Sequence, residues 1–227
     1  MSRLALALRG AKVLSAPPVR KLPITFAVLC KLLDVVSPRV DALLIQCAMS
    51  LVFFACLRAW ELCVPDNCTF DVAKHLCIRD VAFLDDDKMC SVLLKQSKTD
   101  KFSNGVMVYV GCSTQSVCAY CMLKKCLVTH LDHSPDAPLF ADNHVPVLKK
   151  TYFVNATRLA LCAIGLNPSL YSGHSFRAGS ATSGAENGFN HGELKMLRRW
   201  SSECFNIYLR NPKLVANFAQ RLASSLV

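Results

Sequence analysis

The chain has 227 residues with 26 Lys or Arg and 16 Asp or Glu, which gives a formal net charge of +10 at pH 7. This length suffices for one domain with a sizeable core and an arm, and the positive charge favours a polyanionic partner such as nucleic acid. The longest apolar run, residues 42–57, is shorter than the roughly 18 to 20 residues of a spanning helix, so we expect a buried core helix and no membrane span.

The first 21 residues are basic and contain no acidic side chain, since Asp34 is the first acidic residue of the chain. This distribution fits a basic arm that follows a DNA backbone, and we expect residues 1–21 to be such an arm or a linker remnant. The same composition is typical of a mitochondrial transit peptide. We therefore expect a nuclear protein, with a mitochondrial location as the alternative.

Two helices are predicted next. Apolar residues spaced for one helix face begin at Ile24 and continue to about Val36, and Pro38 ends that pattern. The apolar run 42–57 predicts the second helix. Three short runs of strand-like residues follow, bounded by turn-forming residues, and they predict a three-stranded antiparallel sheet. These runs are residues 76–83, 89–95 and 106–110.

The rest of the chain returns to helical patterns, punctuated by Gly165, Pro168 and Gly188. The sequence therefore predicts an α+β fold that is mostly helical and has one small antiparallel sheet. The predicted helices cover residues 116–127, 150–164, 175–187, 192–200, 204–209 and 213–224. The apolar face of the last one, which includes Leu222, fits either docking on a neighbouring protomer or packing on its own domain.

Thirteen cysteines are present, and without an export signal we expect reduced thiols that pack as small hydrophobic side chains. One cluster contains a C-x-x-C pair but lacks a second pair at the spacing typical of zinc sites. We therefore predict no metal site and no cofactor, and a helix over residues 118–128 with Cys118 and Cys121 facing inward. The cluster consists of Cys112, Cys118, Cys121 and Cys126, followed by His130 and His133.

The candidate catalytic residues near the carboxyl end are His174, Arg177, Trp200 and Tyr208. A phenol with a pKa of about 10 needs nearby positive charge and a base before it can attack at neutral pH, and arginine binds phosphate oxygens with a planar fork. Each residue has a structural alternative. A His and an Arg three residues apart are typical of a solvated helix face, Trp200 of a core position, and Tyr208 of an interface.

Two further candidates lie upstream. Arg58 follows the predicted helix 42–57 and has a carboxylate, Glu61, three residues later; the alternative is a helix-terminal cation with a surface partner. Lys98 lies between two predicted strands and hence in a hairpin loop, with Lys95 and Lys101 as neighbours. Its alternative is a solvated loop lysine.

In this order the residues resemble the catalytic domain of tyrosine recombinases, the phage-integrase superfamily, from about Leu22 onward. Within this superfamily, the sequence is most similar to those of DIRS-type and Crypton-type transposon recombinases. The similarity is found in the segments Leu22-Pro-Ile-Thr25, Phe53-Phe54-Ala-Cys-Leu-Arg58, Ser97-Lys98-Thr-Asp100, Ser172-Gly-His-Ser-Phe-Arg177 and Arg199-Trp200-Ser-Ser. The step from Trp200 to Tyr208 is one residue shorter than in many family members.

The resemblance implies metal-free cleavage and rejoining of double-stranded DNA through a 3′-phosphotyrosyl intermediate, as in site-specific recombination or transposon integration. It assigns Tyr208 as nucleophile, Lys98 as general acid, and His174 as base or hydrogen-bond donor. Arg58 and Arg177 would hold the phosphate. Trp200 would position these phosphate-binding side chains, and Glu61 would support Arg58.

The resemblance also implies a catalytic domain over residues 22–227 that assembles as a homo-oligomer on DNA through the C-terminal helix. Full family members carry an upstream core-binding domain, for which residues 1–21 are too few. Two alternatives follow: a non-catalytic DNA-binding remnant of a transposon recombinase, and a type IB topoisomerase that relaxes DNA within one duplex.

Overall fold

The computed structural model describes residues 21–84, 88–96, 105–113, 117–129, 134–190, 192–194 and 220–222. The predicted arm, apart from Lys21, lies outside these residues, as do the predicted helix 204–209 and most of the helices 192–200 and 213–224. Residues 192–194 and 220–222 are helical, as the sequence predicts.

Two apolar helices form the centre of the core. Helix α1 spans Phe26–Val36 and helix α2 spans Ala42–Phe54; ten of the thirteen residues of α2 are buried. Because burial surrounds α2 on most sides, its sequence is apolar almost throughout rather than amphipathic. In the part of the chain that the structure describes, no helix is long and apolar enough to cross a membrane.

Helix α2 ends before the predicted position, and the reason lies at Cys56. This residue has a φ of +50°, in the left-handed region, and its amide donates to the Phe53 carbonyl while the Leu57 amide donates to the Val52 carbonyl. This is a Schellman C-cap with a cysteine where glycine is usual. The chain turns there, and a short helix α3, Ala59–Leu62, begins directly after Arg58.

The sheet has the predicted three antiparallel strands, in the order β1–β2–β3. They are β1 Val81–Leu84, β2 Met89–Leu94 and β3 Val106–Gly111. Leu94 pairs with Val106, so the segment that contains Lys98 connects the two strands of a hairpin. The first strand is shorter than predicted because a 3₁₀ turn, Ile78–Asp80, precedes it and the Asp80 carboxylate accepts the Cys77 amide at 2.7 Å.

Three longer helices complete the described fold: α4 Ala119–Val128, α5 Lys150–Ala163 and α6 Ser175–Glu186. Helix α2 packs against α4 and α6, and α1 packs against α5. Among the described residues, the expected combination of helices with a small antiparallel sheet is confirmed.

Helix α6 lies directly on the chain that enters α1. The Ile24 amide donates to the Ser175 carbonyl at 2.9 Å, and the Phe26 amide donates to Ser183 Oγ at 2.9 Å. A Cβ on Gly179 would lie 1.6 Å from the Ile24 carbonyl oxygen, so no larger residue fits there unless the backbones separate. This close approach fixes the start of α6 relative to α1 and α2.

Candidate functional site

Arg58 is held by a carboxylate that is fully buried. Its Nη1 lies 3.0 Å from Glu61 Oε1, and its backbone amide donates to Glu61 Oε2 at 2.8 Å. The Glu61 side chain has no exposed surface, whereas 18% of the Arg58 side chain is exposed. Glu61 is therefore not a surface partner, and it restricts the direction in which the Arg58 guanidinium points.

Arg177 comes from the first turn of α6 and is 7% exposed. Its Nη1 donates to the carbonyl oxygen of Cys56 at 2.7 Å, and the Cys56 thiol lies 3.7 Å from the carbonyl oxygen of Arg177. Arg177 is thus not on a solvated helix face. It is a buried cation anchored on the turn that ends two residues before Arg58.

His174 immediately precedes α6 and is exposed. The backbone around it is ordered by a local turn, in which the Ser172 amide donates to Ser175 Oγ at 2.9 Å and the His174 amide to Ser172 Oγ at 3.3 Å. A Cβ on Gly173 would lie 3.3 Å from the Cβ of Ala59, the residue after Arg58. The histidine segment therefore packs on the start of α3.

The structure brings the segments of Arg58, His174 and Arg177 together at one junction, where α2 ends and α3 and α6 begin. Two of these residues carry a permanent positive charge, and the amino terminus of α6 adds the positive end of a helix dipole. Guanidinium groups and helix amino termini are recurring binding sites for phosphate groups. This junction is suited to holding an anion.

The other three predicted site residues, Lys98, Trp200 and Tyr208, lie outside the described residues. The structure does describe Lys95, the neighbour with which Lys98 could be confused. Its Nζ lies 2.6 Å from Asp80 Oδ2 and donates to the Val72 carbonyl at 2.7 Å. These contacts make Lys95 a structural residue.

The predicted homo-oligomer contact through the C-terminal helix can be compared with the structure only at residues 220–222. Leu222 has no exposed surface and belongs to the core of its own chain. Arg221 lies 3.6 Å above the Phe189 ring and pairs with Glu193 at 2.8 Å. At this turn the helix packs on its own domain.

Two features of the described structure are not evident in the sequence. Cys56 adopts a backbone conformation that residue type does not signal in a non-glycine residue. Cys121 is exposed, whereas we predicted that it faces inward with Cys118, which is 1% exposed. The prediction for Cys121 is wrong because Cys118 is the N-cap of α4 and not a residue of its inner face.

A comparison with protein-family models gives no match, and a comparison with curated proteins gives none either. The functional assignment therefore depends on the residues and on the geometry of the junction.

Proposed function

We propose that this protein cleaves and rejoins DNA strands through a 3′-phosphotyrosyl intermediate. The observation that carries the proposal is that the segments of Arg58, His174 and Arg177 pack together at one junction, although Arg58 lies far from the other two in the sequence. A set of residues that merely resembled a family motif would have no reason to meet. The order of the six candidate residues in the sequence adds independent support.

Arg58 and Arg177 would bind the two non-bridging oxygens of the scissile phosphate. Charge on these oxygens rises as phosphorus becomes pentacoordinate, so preorganised donors stabilise the transition state more than the ground state. Glu61 contributes by orienting Arg58 before DNA binds. On the precedent of oxyanion donors, each arginine contributes about 10²- to 10³-fold to the rate.

In the chemical step, the Tyr208 oxygen forms a bond to phosphorus and the bond from phosphorus to the 5′-oxygen breaks. Lys98 gives its proton to that oxygen, and His174 accepts the phenol proton; if His174 instead donates a hydrogen bond to the phosphate, the phenol proton passes to water. A free 5′-hydroxyl then reverses the step and releases Tyr208. One phosphodiester bond is lost and one is formed, so no energy source is consumed.

The partner in this proposal is double-stranded DNA, which the net charge of +10 would attract. We propose a nuclear location for this reaction, with the mitochondrion as the alternative. We also propose that several copies act together on DNA. Leu222 is not part of the surface that would join them, because it is buried in its own chain.

The proposal is tested by trapping covalent DNA adducts. Purified protein is incubated with a library of nicked duplexes of random sequence, from which the cleaved end diffuses away, and protein-linked DNA is recovered under denaturing conditions. We expect adducts with the wild type and none with Tyr208→Phe. Tyr109→Phe, which removes a hydroxyl from strand β3, is the matched control and should form adducts at the wild-type level.

DNA binding is measured in parallel by gel shift. Retained binding with no adducts from any variant or the wild type would identify the non-catalytic alternative, which the anchoring of Arg177 on the Cys56 carbonyl also permits. Where adducts form, a second assay mixes two labelled duplexes. Strand transfer between them supports recombination, whereas relaxation of a supercoiled plasmid without transfer indicates a topoisomerase.

A further inference from the structure

Three cysteines converge where the sheet meets helix α4. Cys112 directly follows strand β3, Cys118 is the N-cap of α4, and Cys121 lies in its first turn. The Sγ atom of Cys112 lies 3.7 Å from that of Cys118 and 3.8 Å from that of Cys121, and all three sulfurs lie within 4.8 Å of one another. They therefore form a triangle.

Two sides of this triangle have the length expected at a metal site. Zinc binds thiolates at about 2.3 Å in a tetrahedron, and the corresponding distance between two ligating sulfurs is about 3.8 Å. Packed thiols also touch at such distances, so the spacing of one pair does not distinguish a metal site from packed thiols. Three sulfurs with two sides at this spacing and the third within 4.8 Å, however, approach the arrangement of one face of a tetrahedral thiolate site.

The backbone around Cys118 favours a sulfur that carries negative charge. Its Sγ accepts the Ser113 amide at 3.3 Å and the Cys121 amide at 3.4 Å. Two amides directed at one sulfur, at the amino terminus of a ten-residue helix, stabilise the thiolate form that metals bind. Metal-binding thiolates in proteins are oriented by hydrogen bonds of this kind, from groups that do not themselves bind the metal.

A metal ion could reach the triangle from solvent. Cys121 is exposed, whereas Cys112 and Cys118 are buried, so the cluster reaches the surface at one corner. The pair of Cys47 and Cys126 provides a contrast: these thiols are hydrogen-bonded to each other but are 0% and 2% exposed. Cys112 and Cys118 also belong to the hydrophobic core, but Cys121 brings the triangle to the surface, which neither Cys47 nor Cys126 reaches.

We infer that Cys112, Cys118 and Cys121 bind one Zn²⁺ ion, with the fourth ligand supplied from the side of Cys121. Soft thiolate ligands in tetrahedral arrangement select zinc over the hard cations Mg²⁺ and Ca²⁺. The ion would fasten the end of β3 to the start of α4 and hence the sheet to the helical core. This site is separate from the junction of Arg58 and Arg177, and zinc binding is independent of strand cleavage.

The first experiment measures zinc in the full chain. Protein is produced with zinc, purified under reducing conditions, dialysed against metal-free buffer and analysed by mass spectrometry of the metal. We expect about one zinc ion per chain. Less than about a tenth of an ion per chain in protein with a native circular dichroism spectrum, or a disulfide within the triangle, would overturn the inference.

Variants then locate the ion. Cys121→Ser changes an exposed residue, so it should fold, and we expect its zinc affinity to fall about 100-fold or more in a chelator competition. The control is Cys162→Ser, which changes an exposed cysteine on α5 and should leave the affinity unchanged. Equal affinities in the two variants would show that the triangle is not the site.

Cobalt gives a second readout, and its wild-type spectrum does not depend on any variant. Co²⁺ in the wild type should show intense visible bands of tetrahedral coordination and a near-ultraviolet charge-transfer band from thiolate. If Cys121→Ser still binds cobalt, that band should lose about a third of its intensity, since one of three thiolates is gone. Weak bands of six-coordinate cobalt without charge transfer in the wild type would overturn the inference.

Discussion

The Arg177 guanidinium donates to the carbonyl oxygen of Cys56 at 2.7 Å, and the Cys56 thiol lies 3.7 Å from the carbonyl oxygen of Arg177. This double contact holds Cys56 in a left-handed conformation that costs a non-glycine residue about 1 to 2 kcal/mol. It also joins the end of α2 to the start of α6. The position of Arg58, two residues further along the chain, therefore depends on Arg177.

The first prediction concerns the stability that Arg177 provides. Arg177→Met keeps much of the side-chain volume but removes the donor to the Cys56 carbonyl, so we expect the free energy of unfolding to fall by about 1 to 3 kcal/mol. The measurement is urea denaturation. Arg79→Met removes an exposed cation that pairs with the half-exposed Asp136, and it should cost less than about 1 kcal/mol. Equal losses in both variants would contradict the anchoring role.

A glycine pair tests the packing that positions α6. Gly179→Ala places a Cβ on the Ile24 carbonyl, and we expect a loss of at least about 3 kcal/mol or a failure to fold. Gly173→Ala brings a Cβ to 3.3 Å from that of Ala59, a contact that small shifts can relieve, and it should cost about 1 kcal/mol or less. Thermal and urea denaturation compare the two. A well-folded Gly179→Ala protein of wild-type stability would show that the helix does not approach so closely.

The pH dependence of stability should include a contribution from Asp41, which is 1% exposed. Burial acts to raise the pKa of this carboxyl group, but hydrogen bonds from Arg39 and Tyr152 outweigh burial and lower its pKa. A carboxyl group whose pKa is lowered by folding stabilises the protein above its unfolded pKa of about 3.9, and this stabilisation is lost as the pH falls through the folded value.

We therefore expect Asp41→Asn to reduce the free energy of unfolding by a constant amount between about pH 7 and pH 5. The difference from the wild type should shrink below about pH 4, because the wild-type carboxyl group then also becomes neutral. Urea denaturation at a series of pH values provides the measurement. A difference that grows as the pH falls would have the wrong sign for this explanation.

Substitution of Lys95 should reduce stability, whereas substitution of Lys98 should reduce the rate of strand cleavage. Lys95→Met leaves the Asp80 carboxylate, 4% exposed, without this cation, and we expect a loss of about 3 kcal/mol or more in the free energy of unfolding. Lys98→Met should leave stability unchanged and reduce the rate of strand cleavage by about 10²-fold or more, as expected for a lost general acid.

A modified substrate tests whether Lys98→Met cleaves slowly because the general acid is lost. When sulfur replaces the 5′-bridging oxygen, the leaving group is a thiolate, which departs without a proton. Lys98→Met should then cleave at nearly the wild-type rate. A cleavage rate that remains low on this substrate would show that Lys98 does not act as the general acid.

The repeating patterns of the sequence determined much of the fold. Helix α1 and helix α5 lie within about a residue or two of their predicted bounds, since an apolar stripe at helical spacing reports which face is buried. The three strands follow from short runs separated by turn residues. The sequence also identified Arg58, His174 and Arg177 as candidates, because charged groups of suitable chemistry occur in a recognisable order.

Contacts between distant parts of the chain decided the rest. Periodicity cannot show that Glu61 is buried, that Cys56 turns the chain, or that Gly179 touches the Ile24 backbone, because each feature depends on which surfaces meet after folding. The same holds for the cysteine triangle, where the sequence indicated packed thiols and the packing of β3 against α4 brought three sulfurs together. The sequence by itself determined which chemical groups this protein possesses, and only tertiary packing decided which of them meet.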